Sequence, residues 1–170
     1  NGDGFVGSVN GTPIESPNDG GANVFFEVLR MWQQLANAEL IQNKYTVGNS
    51  LIPDTSSPES RLAKNGFTLS YAGDRASAAE YHAADYQHIL VLGRPRSNPR
   101  ELAREPGISG GDTLQIDQKM DDGKPGTGKV LTYKTGTLAD CTDGDVQTTA
   151  AYVTSNGSQE VCSLIFITGF

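Results

Sequence analysis

Only one long stretch of this 170-residue chain repeats with a helical period. Between residues 22 and 41, Val24, Phe25, Val28, Leu29, Trp32, Leu35 and Ala36 recur at steps of three and four, which predicts an amphipathic helix. Asn18 or Asp19 stands where an N-cap is expected, and Gly48 lies beyond the end. Trp32 reads as the anchor of this helix in the core. The other apolar segments are short. Phe67-Thr68-Leu69-Ser70-Tyr71 alternates with period two and predicts a half-buried strand, with Gly73 ending it. His88-Ile89-Leu90-Val91-Leu92 is a continuous apolar run stopped by Gly93-Arg94-Pro95, and predicts a central strand over 86–92. Ser109-Gly110-Gly111-Asp112 is a capping box before a second helix that runs to about Asp121, stopped by Gly123. Val130–Tyr133 and Val161–Ile167 predict further strands, and residues 74–85 a short helix or a turn.

One long helix among short strands excludes a helical bundle, and no regular alternation of strand and helix suggests a parallel sheet. The expected class is α+β, in a single domain over residues 1–170. Composition agrees: hydrophobic residues are 36% of the chain, with 20 Gly and 8 Pro, which makes it rich in loops.

The net charge of −7 argues against sequence-blind binding to nucleic acid, which needs a basic surface. No apolar run approaches the roughly 20 residues that span a bilayer. The chain opens on Asn1-Gly2-Asp3-Gly4 without an initiator methionine, and reads as a loop cut from something longer.

Cys141 and Cys162 are the two cysteines, spaced too far apart for a C-x-x-C redox or zinc motif. Their flanks look like a surface loop and a strand entry. That favours one disulfide over two buried thiols, with roughly 3 kcal/mol of stability and an extracellular or periplasmic address. Charge is uneven along the chain. Residues 59–104 carry net +2 between acidic flanks, and end in the run Arg94, Arg96, Arg100, Arg104. These four form either a solvated loop or a basic patch that meets an acidic surface of another copy.

Few residues are arranged for chemistry. Gly123-Lys124-Pro125-Gly126-Thr127-Gly128-Lys129-Val130 mimics a phosphate loop, but Val130 stands where Ser or Thr would hold magnesium. It also follows polar residues and enters a strand, with two carboxylates at its entrance, so nucleotide binding is not expected. His82 and His88 show no H-E-x-x-H pattern, and there is no G-x-S-x-G elbow. No catalytic constellation is expected. Asp117, Asp121 and Asp122 crowd a helix C-terminus, the wrong end for anions. Lys119, Lys124 or a bound cation would offset them. With Asp3 of the first turn, they are the candidate calcium ligands, against the plainer reading of a helix end with ordinary turns. Asn10-Gly11-Thr12 and Asn156-Gly157-Ser158 match the glycosylation sequon and mark surface loops.

Three segments carry a resemblance. Asn1-Gly2-Asp3-Gly4, followed by the helix through Trp32-Gln33-Gln34-Leu35-Ala36-Asn37-Ala38-Glu39-Leu40-Ile41, is similar to the N-G-D-G turn and W-x-x-L-x-x-A-x-L-I helix of bacterial type IV pilin-like proteins. Ile116 to Gly128 resembles their I-D-x-K-x-D-D-G-x-P-x-x-G signature, and Cys141 and Cys162 resemble the cysteines enclosing the pilin C-terminal region. The resemblance implies the head of a type IV pilin or type II secretion pseudopilin, an antiparallel sheet packed with helices and a C-terminal disulfide-bounded loop, serving as a structural filament subunit at a bacterial cell surface or in the periplasm. Its partners would be copies of itself or other pilins. Its hydrophobic N-terminal helix, the family's membrane anchor and filament core, would precede this chain, whether removed by truncation, by processing or as a separate polypeptide. The alternative is a secreted surface- or carbohydrate-binding adhesin module using the loops around 141–162.

Overall fold

The computed structural model describes residues 6, 8–9, 12–13, 22–46, 51–62, 64–73, 80–82, 84–95, 102–134 and 140–170. In chain order the elements are β1 (Ser8–Val9), β2 (Thr12–Pro13), α1 (Ala22–Asn37), β3 (Gly66–Tyr71), β4 (His88–Gly93), β5 (Ile108–Ser109), α2 (Gly110–Met120), β6 (Val130–Leu131), β7 (Glu160–Cys162) and β8 (Leu164–Ile167). The class is α+β, as expected. The main sheet has the order β3-β4-β8-β6, and every pairing in it is antiparallel. Two-stranded pairs β1-β2 and β5-β7 stand apart from it. The apolar run of β4 lies between two neighbours, where both faces of a strand are covered.

The sheet is buried on both sides. Ile89, Val91, Leu131 and Ile165 share one face, where they cluster with Val28 of α1 and with Tyr81, Tyr86 and Tyr133. Leu92, Val130 and Leu164 share the other, with Ile108, Tyr152 and the two cysteines, and Leu114 and Ile116 of α2 pack against that cluster. The pairings Val91↔Ile165 and Leu92↔Leu164 put each set on its own face.

Two-sided burial overturns the reading of β3. Its alternation predicted one wet face, yet Thr68 and Ser70 are as buried as the core. Thr68 lies opposite Val91, and its Oγ1 accepts a hydrogen bond from Ala103 N at 3.2 Å, so a loop covers the polar face. Phe67 and Tyr71 are the partly exposed members.

α1 stops four residues earlier than its pattern. Glu39 adopts φ 58°, Leu40 N–H donates to Leu35 O at 3.0 Å and Glu39 N–H to Ala36 O at 3.0 Å. This is a Schellman end with glutamate in the left-handed position that glycine usually fills. Trp32 is half-buried and belongs to no core cluster. Val28 and Leu29 are the anchors instead, Leu29 packing with Leu51 and Ala103. Asn18, Asp19 and Gly48 lie outside the described residues, and residues 80–82 and 84–85 form no helix.

α2 begins as its sequence predicts. Ser109 Oγ accepts from Asp112 N at 3.1 Å and donates to Asp112 Oδ2 at 2.7 Å. The strand expected over 161–167 is two strands that serve different sheets. β7 pairs with β5, the chain crosses at Ser163, and β8 enters the main sheet. Ser163 Oγ, donating to Arg104 O at 3.1 Å, fixes the crossing.

Candidate functional site

Among the described residues, Asp117, Asp121 and Asp122 cluster at the end of α2. One carboxylate oxygen from each lies within 4.8 Å of the others. A helix C-terminus repels anions, so these residues need compensation. Backbone amides supply much of it. Gly123 N–H donates to Asp117 Oδ1 at 3.1 Å, Lys124 N–H to Asp122 Oδ1 at 2.9 Å, and Val130 N–H to Asp121 Oδ2 at 3.0 Å. Lys129 N–H also donates to Asp121 Oδ2, and the Thr127 hydroxyl to Asp122 Oδ2. The loop that mimics a phosphate loop therefore turns these amides onto the chain's own carboxylates. Gly128, at φ +80°, is crowded against Asp121, and a Cβ there would collide with its carboxylate.

Asp117 is the most enclosed of the three, with no exposed surface. Its Oδ2 accepts from the Tyr152 hydroxyl at 2.7 Å. Burial raises the Asp117 pKa above the ordinary carboxylate value; the bonds from Tyr152 and Gly123 oppose the rise, and the charges of Asp122 and Asp121 add to it. Burial raises the Tyr152 pKa as well, reinforced by its bond to Asp117. Sequence reasoning passed over Tyr152. Its one signal was an aromatic residue amid the polar loop between the cysteines.

As a cation site, the cluster joins three of the four expected ligands. Asp121 Oδ1 accepts no hydrogen bond among the described residues, and Asp122 lies at the surface, so hard-cation coordination would fall to these two. Asp3, the fourth candidate, lies outside the described residues.

Cys141 and Cys162 are joined by a disulfide, Cα to Cα 4.8 Å, and both are buried. The bond closes the loop that carries Tyr152. Such a bond fits an oxidising, extracellular or periplasmic setting, and no helix among the described residues is long and apolar enough to cross a membrane.

The arginine run is divided. Arg94 pairs with Glu160 of β7, so this basic residue meets the acidic C-terminal segment within its own chain. Arg104 is only 7% exposed and pairs with Glu80 at 2.7 Å. Its charge is turned inward rather than displayed. Arg96 and Arg100 lie outside the described residues.

The histidines serve different purposes. His88 joins distant parts of the chain: Val6 N–H donates to its Nε2 at 3.3 Å, so Nδ1 carries the proton directed at Phe170 O, 2.7 Å away. His82 has no exposed surface, and among the described residues neither ring nitrogen has a hydrogen-bond partner. Compared with known protein families, curated proteins and solved structures, the chain matches none.

Proposed function

We propose that this chain is the globular head of a filament subunit of the type IV pilin or type II secretion pseudopilin kind, and that its role is structural. The reading rests on the resemblance of three segments, and the bonding of the acidic segment is the observation that carries it furthest. Asp117, Asp121 and Asp122 all receive hydrogen bonds from the loop that follows them. A signature whose carboxylates close a turn between a helix and a strand maintains a shape. A buried disulfide and a sheet covered on both faces suit a domain displayed outside the cell. In this reading a hydrophobic helix forms the filament and the head coats it, meeting neighbours through unlike surfaces. Arg96 and Arg100 remain the candidates for the basic side of such a contact.

The test is localisation in the source bacterium. Antibodies raised against the folded head should label surface filaments by immunogold microscopy, and the antigen should appear in the sheared-filament or periplasmic pseudopilus fraction. Antigen found only as a free secreted monomer, with binding to immobilised glycans, would replace the filament reading with the adhesin one.

A further inference from the structure

Asn156 and Gly157 sit at the tip of the disulfide-closed loop, in a turn spanning 155–158. The turn is closed by Gln159 N–H donating to Asn156 O at 3.2 Å. Gly157 is exposed at φ +60°, and a Cβ built on it would meet nothing within 4 Å. Among the described residues, neither the Asn156 side-chain amide nor the Gly157 N–H takes part in a hydrogen bond. Of the chain's other three Asn-Gly pairs, Asn65-Gly66 lies among the described residues and provides the contrast. Asn65 has no exposed surface, and its Nδ2 donates to Leu62 O at 3.1 Å and to Gly107 O at 2.7 Å. Gly66 is held in β3 opposite Gly93.

We propose that Asn156 is a site of spontaneous covalent modification, at which the chain converts its own asparagine to aspartate and isoaspartate. The Gly157 nitrogen, giving its proton to solvent, attacks Asn156 Cγ. The new C–N bond closes a five-membered succinimide, the Cγ–Nδ2 bond breaks, and ammonia leaves. Water then opens the ring at either carbonyl. Addition at the side-chain carbonyl gives aspartate; addition at the main-chain carbonyl leaves the backbone running through the former side chain. No oxidant or reductant is needed. Glycine is the follower that least obstructs the attack, because it has no side chain and reaches conformations closed to other residues. At Asn65 the same chemistry must first break two hydrogen bonds of a fully enclosed side chain and pull a residue from β3.

The product changes the loop in two ways. It adds one negative charge four residues before Glu160 in the chain, and its isoaspartyl form inserts a methylene into the main chain inside the turn. Both changes fall between the cysteines, so the disulfide retains the altered loop. The reactivity does not depend on the filament reading, although a subunit that persists outside the cell would accumulate it.

The experiment is a time course at mildly alkaline pH on the native, disulfide-bonded chain, beside the same chain unfolded in urea. Each sample is then unfolded, reduced, digested with trypsin and read by mass spectrometry. Trypsin cuts after Lys64, Arg75 and Lys134, so Asn65 and Asn156 fall in separate peptides in which each is the sole asparagine. The peptide from Thr135 to Phe170 should gain one mass unit and resolve into aspartyl and isoaspartyl forms. Its native rate should lie within about threefold of the unfolded rate, because Gly157 and its neighbours are exposed and Asn156 is only half-buried. The Asn65 peptide should react at a similar rate when unfolded, but roughly a hundredfold or more slower when native, because it waits for an opening of the core. Asn156→Gln should abolish the gain in the native 135–170 peptide. A 135–170 peptide that stays unmodified in the native chain while the unfolded chain reacts would overturn the proposal. So would equal native rates at both asparagines.

Discussion

His82 is enclosed and, among the described residues, has no hydrogen-bond partner at either ring nitrogen, beside a core that contains Tyr81, Tyr86 and Tyr133. Gly126 packs against its Nδ1, and a Cβ at that glycine would also strike the Gln147 carbonyl of the disulfide loop. Burial lowers the His82 pKa from its ordinary value of 6.5; Lys134 lowers it further and Asp145 opposes this weakly. The unfolded chain therefore takes up this proton at higher pH than the folded one. The stability tied to the neutral ring is intact above pH 6.5 and drains as pH falls from there toward the lowered folded value. One such proton steepens the loss by at most about 1.4 kcal/mol per pH unit. Urea unfolding of the wild-type chain between pH 7.5 and 5 should show this acid-side decline, and His82→Leu should flatten it even if its stability at pH 7.5 is lower. Identical slopes in the two proteins would show that the imidazole finds an acceptor when protonated. No sequence pattern pointed to this residue, because burial of a lone histidine is decided by elements far along the chain.

The elements divide by how local their causes are. The start of α2 was legible because Ser109 and Asp112 satisfy each other within one turn. β4 was legible because its run of four apolar residues from Ile89 to Leu92 suits a strand covered on both faces. β3 misled because its polar residues are covered by the segment near Ala103, which no alternation can reveal. The division of the last strand at Ser163 was hidden for the same reason, since it depends on two separate partners, β5 and β4. The end of α1 was missed because Glu39 occupies a position where glycine is the usual signal. That misfit is testable. A non-glycine residue in the left-handed region is strained by roughly 1 kcal/mol, and Glu39 is exposed. Glu39→Gly should remove the strain at the cost of a looser unfolded chain, and should stabilise the protein by about 0.5 kcal/mol, or one to two degrees in Tm. A lower Tm would mean that the Glu39 side chain makes a contact worth more than the strain.

Across the whole molecule, α1 and the tyrosines close one face of the sheet while α2 and the disulfide loop close the other. The second cover is held at two points. The disulfide fixes the ends of the loop, and Tyr152 reaches from within it to Asp117 on α2. The two points are joined by the loop itself. Thr142 bridges Tyr152, Val153 N–H donates to Cys141 O at 2.9 Å, and Asp143 N–H donates to Ala151 O at 3.0 Å. Tyr152, which bonds Asp117, is therefore ordered against Thr142, the immediate neighbour of the disulfide-bonded Cys141. Replacing both cysteines by alanine should cost about 3 kcal/mol from loop entropy. Tyr152→Phe leaves a buried carboxylate short of one donor and should cost about 1–3 kcal/mol. If the disulfide holds Tyr152 in place, the two losses are not independent. In the background without the disulfide the loop is already loosened, and Tyr152→Phe should cost less by about 1 kcal/mol. Denaturant unfolding of the four proteins of this cycle measures the difference. Strict additivity would show that Tyr152 keeps its place on Asp117 without the crosslink, so that α2 rather than the disulfide organises this face.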